Sequence, residues 1–236
     1  MSDAKTDSKK EPVLHDPERF AVLAADVVLF TIHNRELLVR LMHVVRPPYF
    51  PDNAGFPGAI LRGHETAEDT ALRVIRERGL INSPIYMEQL CTMSRVNRDP
   101  RGRVVAVAYL AIVPWDSLSY SERADTDDAW WKPARSTKNL SYDHDEVLEI
   151  ALKRLCSRVT YTTLIMKLMP KEFTLTELEQ AYESILKTDL DKRNFRKKLL
   201  KLKLLTPLPR KKKGGKFRPA QLYSFSTSKV KYIEVI

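Results

Sequence analysis

The sequence predicts a mixed α/β (α+β) fold in two units, a domain of strands and helices followed by a helical unit closed by a basic β-hairpin. Two observations carry this. Val-rich extended runs alternate with helix-period segments up to residue 157, and three short helical segments with two extended ones follow. The charge divides at nearly the same place. Residues 170–236 hold 17 Lys+Arg against 7 Asp+Glu, so they carry the whole net charge of +10 and the rest of the chain balances. The domains are therefore drawn as a tail at 1–18, a first domain at 19–157 and a second at 158–236.

Ala21–Thr31 reads as a buried strand, apolar except for Asp26. His33–Glu36 is a turn, and Leu37–Val45 completes a hairpin. Four prolines and Gly55 make Arg46–Pro57 a loop. Thr66–Arg78 is a helix, with Thr66 and Asp69 at capping-box spacing and Ala67, Ala71, Leu72 and Ile75 on one face. Tyr86–Ser94 and Val104–Val113 are strands joined across Asp99-Pro100-Arg101-Gly102. Ala129–Trp131 is a short strand, and Asp143–Val159 a helix. In the second unit, Tyr161–Met169 is a short helix ended by Pro170. Thr176 and Glu179 cap the next helix, whose inner face is Leu178, Ala181, Tyr182, Ile185 and Leu186. Lys192–Leu202 is the third, with Phe195, Leu199 and Leu202 inward. Leu204–Pro207 and Gln221–Phe225 flank the basic tip Arg210–Lys216. Three helices and a basic hairpin make a winged helix-turn-helix domain.

No apolar run approaches the roughly 18–20 residues of a membrane span, and Met1–Glu11 lacks the apolar stretch of a signal peptide. The expectation is a cytoplasmic protein with a disordered tail and no membrane partner. Cys91 and Cys156 lie in apolar-rich stretches and are expected to be buried free thiols.

The third helix carries Lys192, Arg193, Arg196 and Lys197, then Lys198, Lys201 and Lys203. A helix fits the DNA major groove with its N-terminal side chains at base edges, where Arg pairs with guanine and Asn with adenine. Arg193, Asn194 and Lys197 are placed for this. Arg210, Lys211, Lys212, Lys213, Lys216 and Arg218 of the wing suit phosphates or the minor groove. A solvated charged face is the alternative, but exposed helices mix signs, and Lys192 to Lys231 contains no carboxylate. RNA is a second alternative, and the scarcity of aromatics argues against single-strand stacking. The partner read from these residues is double-stranded DNA.

Phe56–Ile60, Glu65–Glu68 and Arg73–Leu80 resemble a Nudix box, Gx5Ex7REUxEExGU with U a bulky apolar residue. In Nudix hydrolases the box glutamates hold Mg²⁺ while a diphosphate is cleaved. Here the family glycine falls at Ala59. Glu65 and the spacer to Arg73 are kept, Val74 stands for the next glutamate, Glu77 remains and Arg78 replaces its neighbour. Such a site loses most of its attraction for a divalent cation, so no catalytic residue, metal or cofactor is expected. If the chain were an active Mg²⁺-dependent hydrolase of ADP-ribose-like compounds, Glu65, Glu68 and Glu77 would be catalytic, and Glu65 and Glu77 metal-binding.

The resemblance extends further. Glu88–Thr92 with Arg98–Tyr109 looks like the ADP-ribose-directed Nudix branch. Tyr142-Asp143-His144, Asn194–Lys197 and Gly215–Tyr223 look like the Nudix-related transcriptional regulators. Membership implies a Nudix-like mixed-sheet sandwich before the winged helix-turn-helix domain. It implies a homodimeric repressor of NAD-metabolism genes that responds to ADP-ribose or a related nucleotide. Arg46, Arg98, Arg101 and Arg103 are then the candidate ligand-binding residues, since Arg makes bidentate phosphate contacts. Val45 and Ala54 depart from the Arg and Trp usual in the family.

Overall fold

Val22–His33 forms β1, the strand on which the first domain is built. The computed structural model describes residues 21–212 and 219–233. The tail at 1–18 and Lys213, Lys216 and Arg218 lie outside them. Val27 and Leu29 face one side of the sheet with Tyr109 and Ala111, while Val28 and Phe30 face the other with Leu110 and Ile112. A strand buried on both faces reads as an apolar run, as this one does. Asn34 and Arg35, at φ 49° and 64°, make the two-residue turn that suits the strand twist and lead into β2 (Glu36–Arg46).

The loop expected at 46–57 contains a strand instead, β3 (Phe50–Gly55), antiparallel to β2 from Met42↔Gly55 to Arg46↔Phe50. β3 ends the sheet order, and an edge strand tolerates Pro51 on its open side. β4 (Gly58–Ile60) shares one edge of β1 with β2. Thr66 and Asp69 form the expected reciprocal cap on α1 (Ala67–Glu77), which lays Ala71, Val74 and Ile75 on the sheet. β5 (Tyr86–Met93) pairs antiparallel with β6 (Val104–Ile112), which runs parallel to β1 from Val22↔Val104 to Phe30↔Ile112. α2 (Tyr120–Arg123) and β7 (Ala129–Pro133) complete the first domain, β7 pairing with β2.

α3 (His144–Tyr161) covers the other face. Its buried Val147, Ala151, Leu155 and Val159 recur every fourth residue, with no Gly or Pro to break it, so the helix runs through the boundary drawn at 157/158. The short helix expected at 161–169 shrinks to a 3₁₀ turn at Leu164–Lys167.

β8 (Phe173–Thr174) pairs with the last strand and holds Thr174 extended, at φ −91° and ψ 158°. Thr174 therefore caps α4 (Leu175–Leu186) with Glu177, which corrects the expected Thr176–Glu179 cap. α5 (Lys192–Lys201) is capped by Asp191. β9 (Leu205–Lys212) and β10 (Ala220–Phe225) form a longer hairpin than expected. Arg210, Lys211 and Lys212 are thus strand residues rather than a tip.

One apolar cluster joins Phe30, Leu41 and Leu155 to Phe173, Leu178, Tyr182, Ile185 and Phe195, so the two units share a core. Cys91 and Cys156 are free but only half-buried. Cys91 follows a bulge in β5, at the edge of the sheet, and this opens it to solvent. Among the described residues no helix is long and apolar enough to cross a membrane.

Candidate functional site

A cleft of about 300 Å³ opens between the ends of β2 and β4, the C-terminal end of α1, the β5–β6 turn and the start of α3. Six arginines line it: Arg46, Arg62, Arg73, Arg78, Arg98 and Arg101. Asp26, Asp99, Tyr142 and His144 also face it.

Two of the three box carboxylates, Glu65 and Glu77, are paired with Arg73. Glu65, with its side chain only 9% exposed, accepts from Arg73 Nε at 2.7 Å and Nη2 at 2.8 Å, and from the Thr70 hydroxyl at 2.9 Å. The Arg73 guanidinium, against burial and with help from Thr70, holds the Glu65 carboxyl down at about 2. Glu77 accepts from Arg73 Nη1 at 3.2 Å. Glu68 is exposed and Val74 is buried in the core. Among the described residues no three His, Cys, Asp or Glu side chains are grouped to hold a metal ion. The residues present do not fit a divalent cation.

Arg98 is a clamp. Its side chain is 3% exposed and binds Asp143 through Nε at 2.9 Å and Nη2 at 2.7 Å, with Asp26 3.1 Å from Nη2. This ties the β5–β6 turn to β1 and to the start of α3. Burial opposes ionisation of Asp26, but the His144 ring and Arg98 outweigh it and keep the carboxyl below the usual range. His144 Nδ1 accepts from the Phe56 amide at 3.0 Å, which puts the ring proton of the neutral form on Nε2. Nε2 lies 3.7 Å from Asp26.

Arg101 pairs with Asp99 at 2.9 and 2.7 Å and lies over the Tyr142 ring at 5.5 Å. Arg46, at the end of β2, is exposed, and its Nη1 donates to the Val45 carbonyl at 2.6 Å. Arg103 donates to the Ser94 and Arg95 carbonyls at 2.9 and 3.2 Å and does not line the cleft. Of the four expected ligand residues the cleft thus gathers Arg46, Arg98 and Arg101. Arg62, Arg73, Arg78 and Tyr142 join them without having been singled out as ligand residues. For Arg78 the signal was there, a cation at a position the Nudix box reserves for a carboxylate.

The second surface is basic. α5 buries Phe195 and Leu199, with Phe195 edge-on to Tyr182 at 5.2 Å. Five of its six cations fall into two sets. Lys192 and Arg196 turn to Glu179 of α4, a carboxylate only 1% exposed, at 3.2 and 3.3 Å. Arg193, Lys197 and Lys201, four apart on an exposed face, have no ion-pair partner among the described residues. The Asn194 side chain donates to Asp191 at 3.1 Å, which binds it to the helix cap. On β9, Arg210 pairs with Glu172 and Lys212 with Glu177. Lys211 between them is exposed and has no ion-pair partner among the described residues.

Residues 165–225 match the NrtR DNA-binding winged helix domain. Over 209 residues the chain is 32% identical to the ADPR responsive transcriptional repressor NtrR of Acinetobacter baylyi, covering 87% of this chain and 82% of that one. It resembles the crystal structure of Shewanella oneidensis NrtR complexed with a 27mer DNA, with a TM-score of 0.76 and 31% identity over 86% of this chain and 93% of that one. The NUDIX domain of the same Shewanella protein, complexed with ADP ribose, matches with a TM-score of 0.50 and 34% identity over 60% of this chain and 94% of that one. The likeness to the Acinetobacter protein and to the DNA-bound Shewanella structure runs through both units and over 82% and 93% of their lengths, and the chain belongs to the NrtR family of Nudix-related transcriptional regulators.

Proposed function

We propose that this chain is a homodimeric repressor that binds double-stranded DNA and releases it when ADP-ribose or a related nucleotide enters the arginine-lined cleft, without hydrolysing it. The observation that carries the reading is one polypeptide holding a cationic cleft whose box carboxylates Glu65 and Glu77 are paired with Arg73 and a basic helix with an unpaired face. One relative of known structure, the Shewanella protein, was captured with a 27mer DNA, and its NUDIX domain with ADP ribose. The genes controlled are expected to be those of NAD metabolism, in the cytoplasm.

The mechanism is linkage. A nucleotide that prefers the arrangement unable to hold DNA shifts the population towards it, and DNA weakens nucleotide binding by the same factor. α3 is the element placed to connect the two, since Asp143 and His144 at its start belong to the cleft and Leu155 and Val159 near its end belong to the shared core. No resident metal or cofactor is required.

The test is selection of bound duplexes from a random pool, then titration of the selected DNA with and without ADP-ribose. DNA release by ADP-ribose supports the reading, and indifference to it overturns the sensing part. In parallel, Mg²⁺ or Mn²⁺ assays on ADP-ribose should show no AMP. Turnover that vanishes in Glu77→Gln would establish a hydrolase instead.

A further inference from the structure

Every carboxylate at the cleft is taken. Asp26 and Asp143 hold Arg98, Asp99 holds Arg101, and Glu65 and Glu77 hold Arg73. Among the described residues this leaves Arg78 and Arg46 with no acid partner. Arg78 caps α1 and is half-buried. Its Nη1 donates to the Gly58 carbonyl at 2.7 Å, which fixes one edge of the guanidinium and leaves the other donors for the cleft. Gly58 is held by its pairing with Asp26 between β1 and β4, and the position must stay glycine because a Cβ there would overlap Asp26 Oδ1. Burial and the nearby Arg46 and Arg73 work against the charge on Arg78 and outweigh Glu77 and Tyr142, which favour it. A fixed, half-buried guanidinium beside a second unpaired one is a site short of negative charge. Its planar array of donors matches two phosphoryl oxygens at once.

We propose that Arg78, seated on the Gly58 carbonyl and assisted by Arg46, binds the diphosphate of the nucleotide and supplies the positive charge that a divalent cation would otherwise bring. This rests on the nucleotide-sensing reading and adds that ligand binding is metal-independent. The box has exchanged an acid that attracts a metal for a base that does the metal's electrostatic work directly. The ligand class is then set by the diphosphate, and AMP, with a single phosphate, binds more weakly than ADP or ADP-ribose.

Calorimetric titration of the full chain tests this, with ADP-ribose, ADP, AMP and inorganic pyrophosphate, each in EDTA and in Mg²⁺. The parent protein is expected to bind ADP-ribose equally well in both. Loss of a charge-assisted bidentate contact, about 1.5–3 kcal/mol, lowers affinity about tenfold to a hundredfold in Arg78→Gln. Arg78→Glu should bind nothing in EDTA and regain binding in Mg²⁺. Arg46→Gln, an exposed position that does not threaten folding, should lose about tenfold. Parent affinity that collapses in EDTA, or affinity that survives in Arg78→Gln and Arg46→Gln, overturns the proposal and leaves ADP-ribose sensing standing. Binding of ADP and pyrophosphate but not ADP-ribose upholds the proposal and removes the ADP-ribose reading. Binding of none of the probes overturns both.

Discussion

Glu177→Gln separates the two jobs that one carboxylate performs beside the basic surface. Glu177 Oε2 accepts from the Thr174 amide at 2.8 Å and hydroxyl at 3.0 Å, closing the cap of α4, while Oε1 accepts from Lys212. Burial opposes its ionisation, but Lys212 and Thr174 hold it below the usual carboxylate range, so the Lys212 charge is balanced at neutral pH. Gln keeps an oxygen for the cap and removes the charge. Losing an acid from the first turn costs α4 about 0.3–1 kcal/mol. On DNA the effect has the opposite sign. Each cation newly available to a phosphate steepens the slope of log K against log salt by about 0.9, or about 3.5-fold in affinity over a fourfold rise in salt. Glu177→Gln should therefore bind DNA more tightly at low salt, with a slope steeper by up to about 0.9. Lys211→Ala should flatten the slope by about 0.9, and Lys212→Ala by less, because its charge is already balanced. Anisotropy titrations on selected and scrambled duplexes at several salt concentrations would measure all three. Parental slopes in both Glu177→Gln and Lys211→Ala would show that β9 does not meet phosphates.

Two further outcomes concern stability. Glu65 and Glu122 both have their carboxyls lowered from 4.5 to about 2, Glu65 chiefly by Arg73, and Glu122 against burial by the Ser83 hydroxyl and three backbone amides. A depressed acid stabilises the fold fully above its unfolded value and loses that contribution as pH falls through the folded one. The melting temperature should thus drop between pH 4.5 and about 2, and Glu122→Gln should flatten part of that drop; an unchanged profile would refute the assignment. Because Phe173 is fully buried in the shared core, Phe173→Ala should cost about 3–5 kcal/mol and shift one calorimetric transition, and two separate transitions would refute a common core.

The parts legible in the sequence rest on neighbours along the chain. β1 was visible in its apolar run, α1 in Thr66 and Asp69 three residues apart, and α5 in Phe195 and Leu199 with cations around them. β3 was hidden because Pro51 and the flanking Pro47, Pro48 and Pro57 read as loop punctuation, and only its place at the sheet edge makes Pro51 acceptable. The α4 cap was misplaced by two residues, since Thr174 and Thr176 both stand three before a Glu, and the choice is made by pairing with β10 far along the chain. The same reason explains the cleft. Arg98 looked like a ligand group because Asp26 and Asp143, which occupy it, lie 72 and 45 residues away. Arg78 looked like damage because its seat on Gly58 is 20 residues distant. Charge type could be read from the sequence, whereas which charges are already spent is a property of the fold.

The shared core also limits how a ligand could act. A hinge between the units would have to peel α4 and its neighbours from the sheet and α3, uncovering residues such as Ile165, Phe173, Leu178, Tyr182 and Ile185, all at most 1% exposed. Exposing each large apolar side chain costs about 1.5–3 kcal/mol, so even three of them exceed the 1–3 kcal/mol typical of coupling between two sites. A nucleotide in the cleft does not have that much to spend on prising the units apart. Cys156 Sγ lies 3.2 Å from the Ile185 carbonyl, and Arg135 donates to that same carbonyl, so α3 and the segment after β7 both grip the end of α4. In the proposed homodimer the economical response is a small rotation of each whole chain against its partner. A rotation of that kind changes the separation of the two α5 helices, and a dimeric reader must set its two helices about one turn of DNA apart to reach both half-sites.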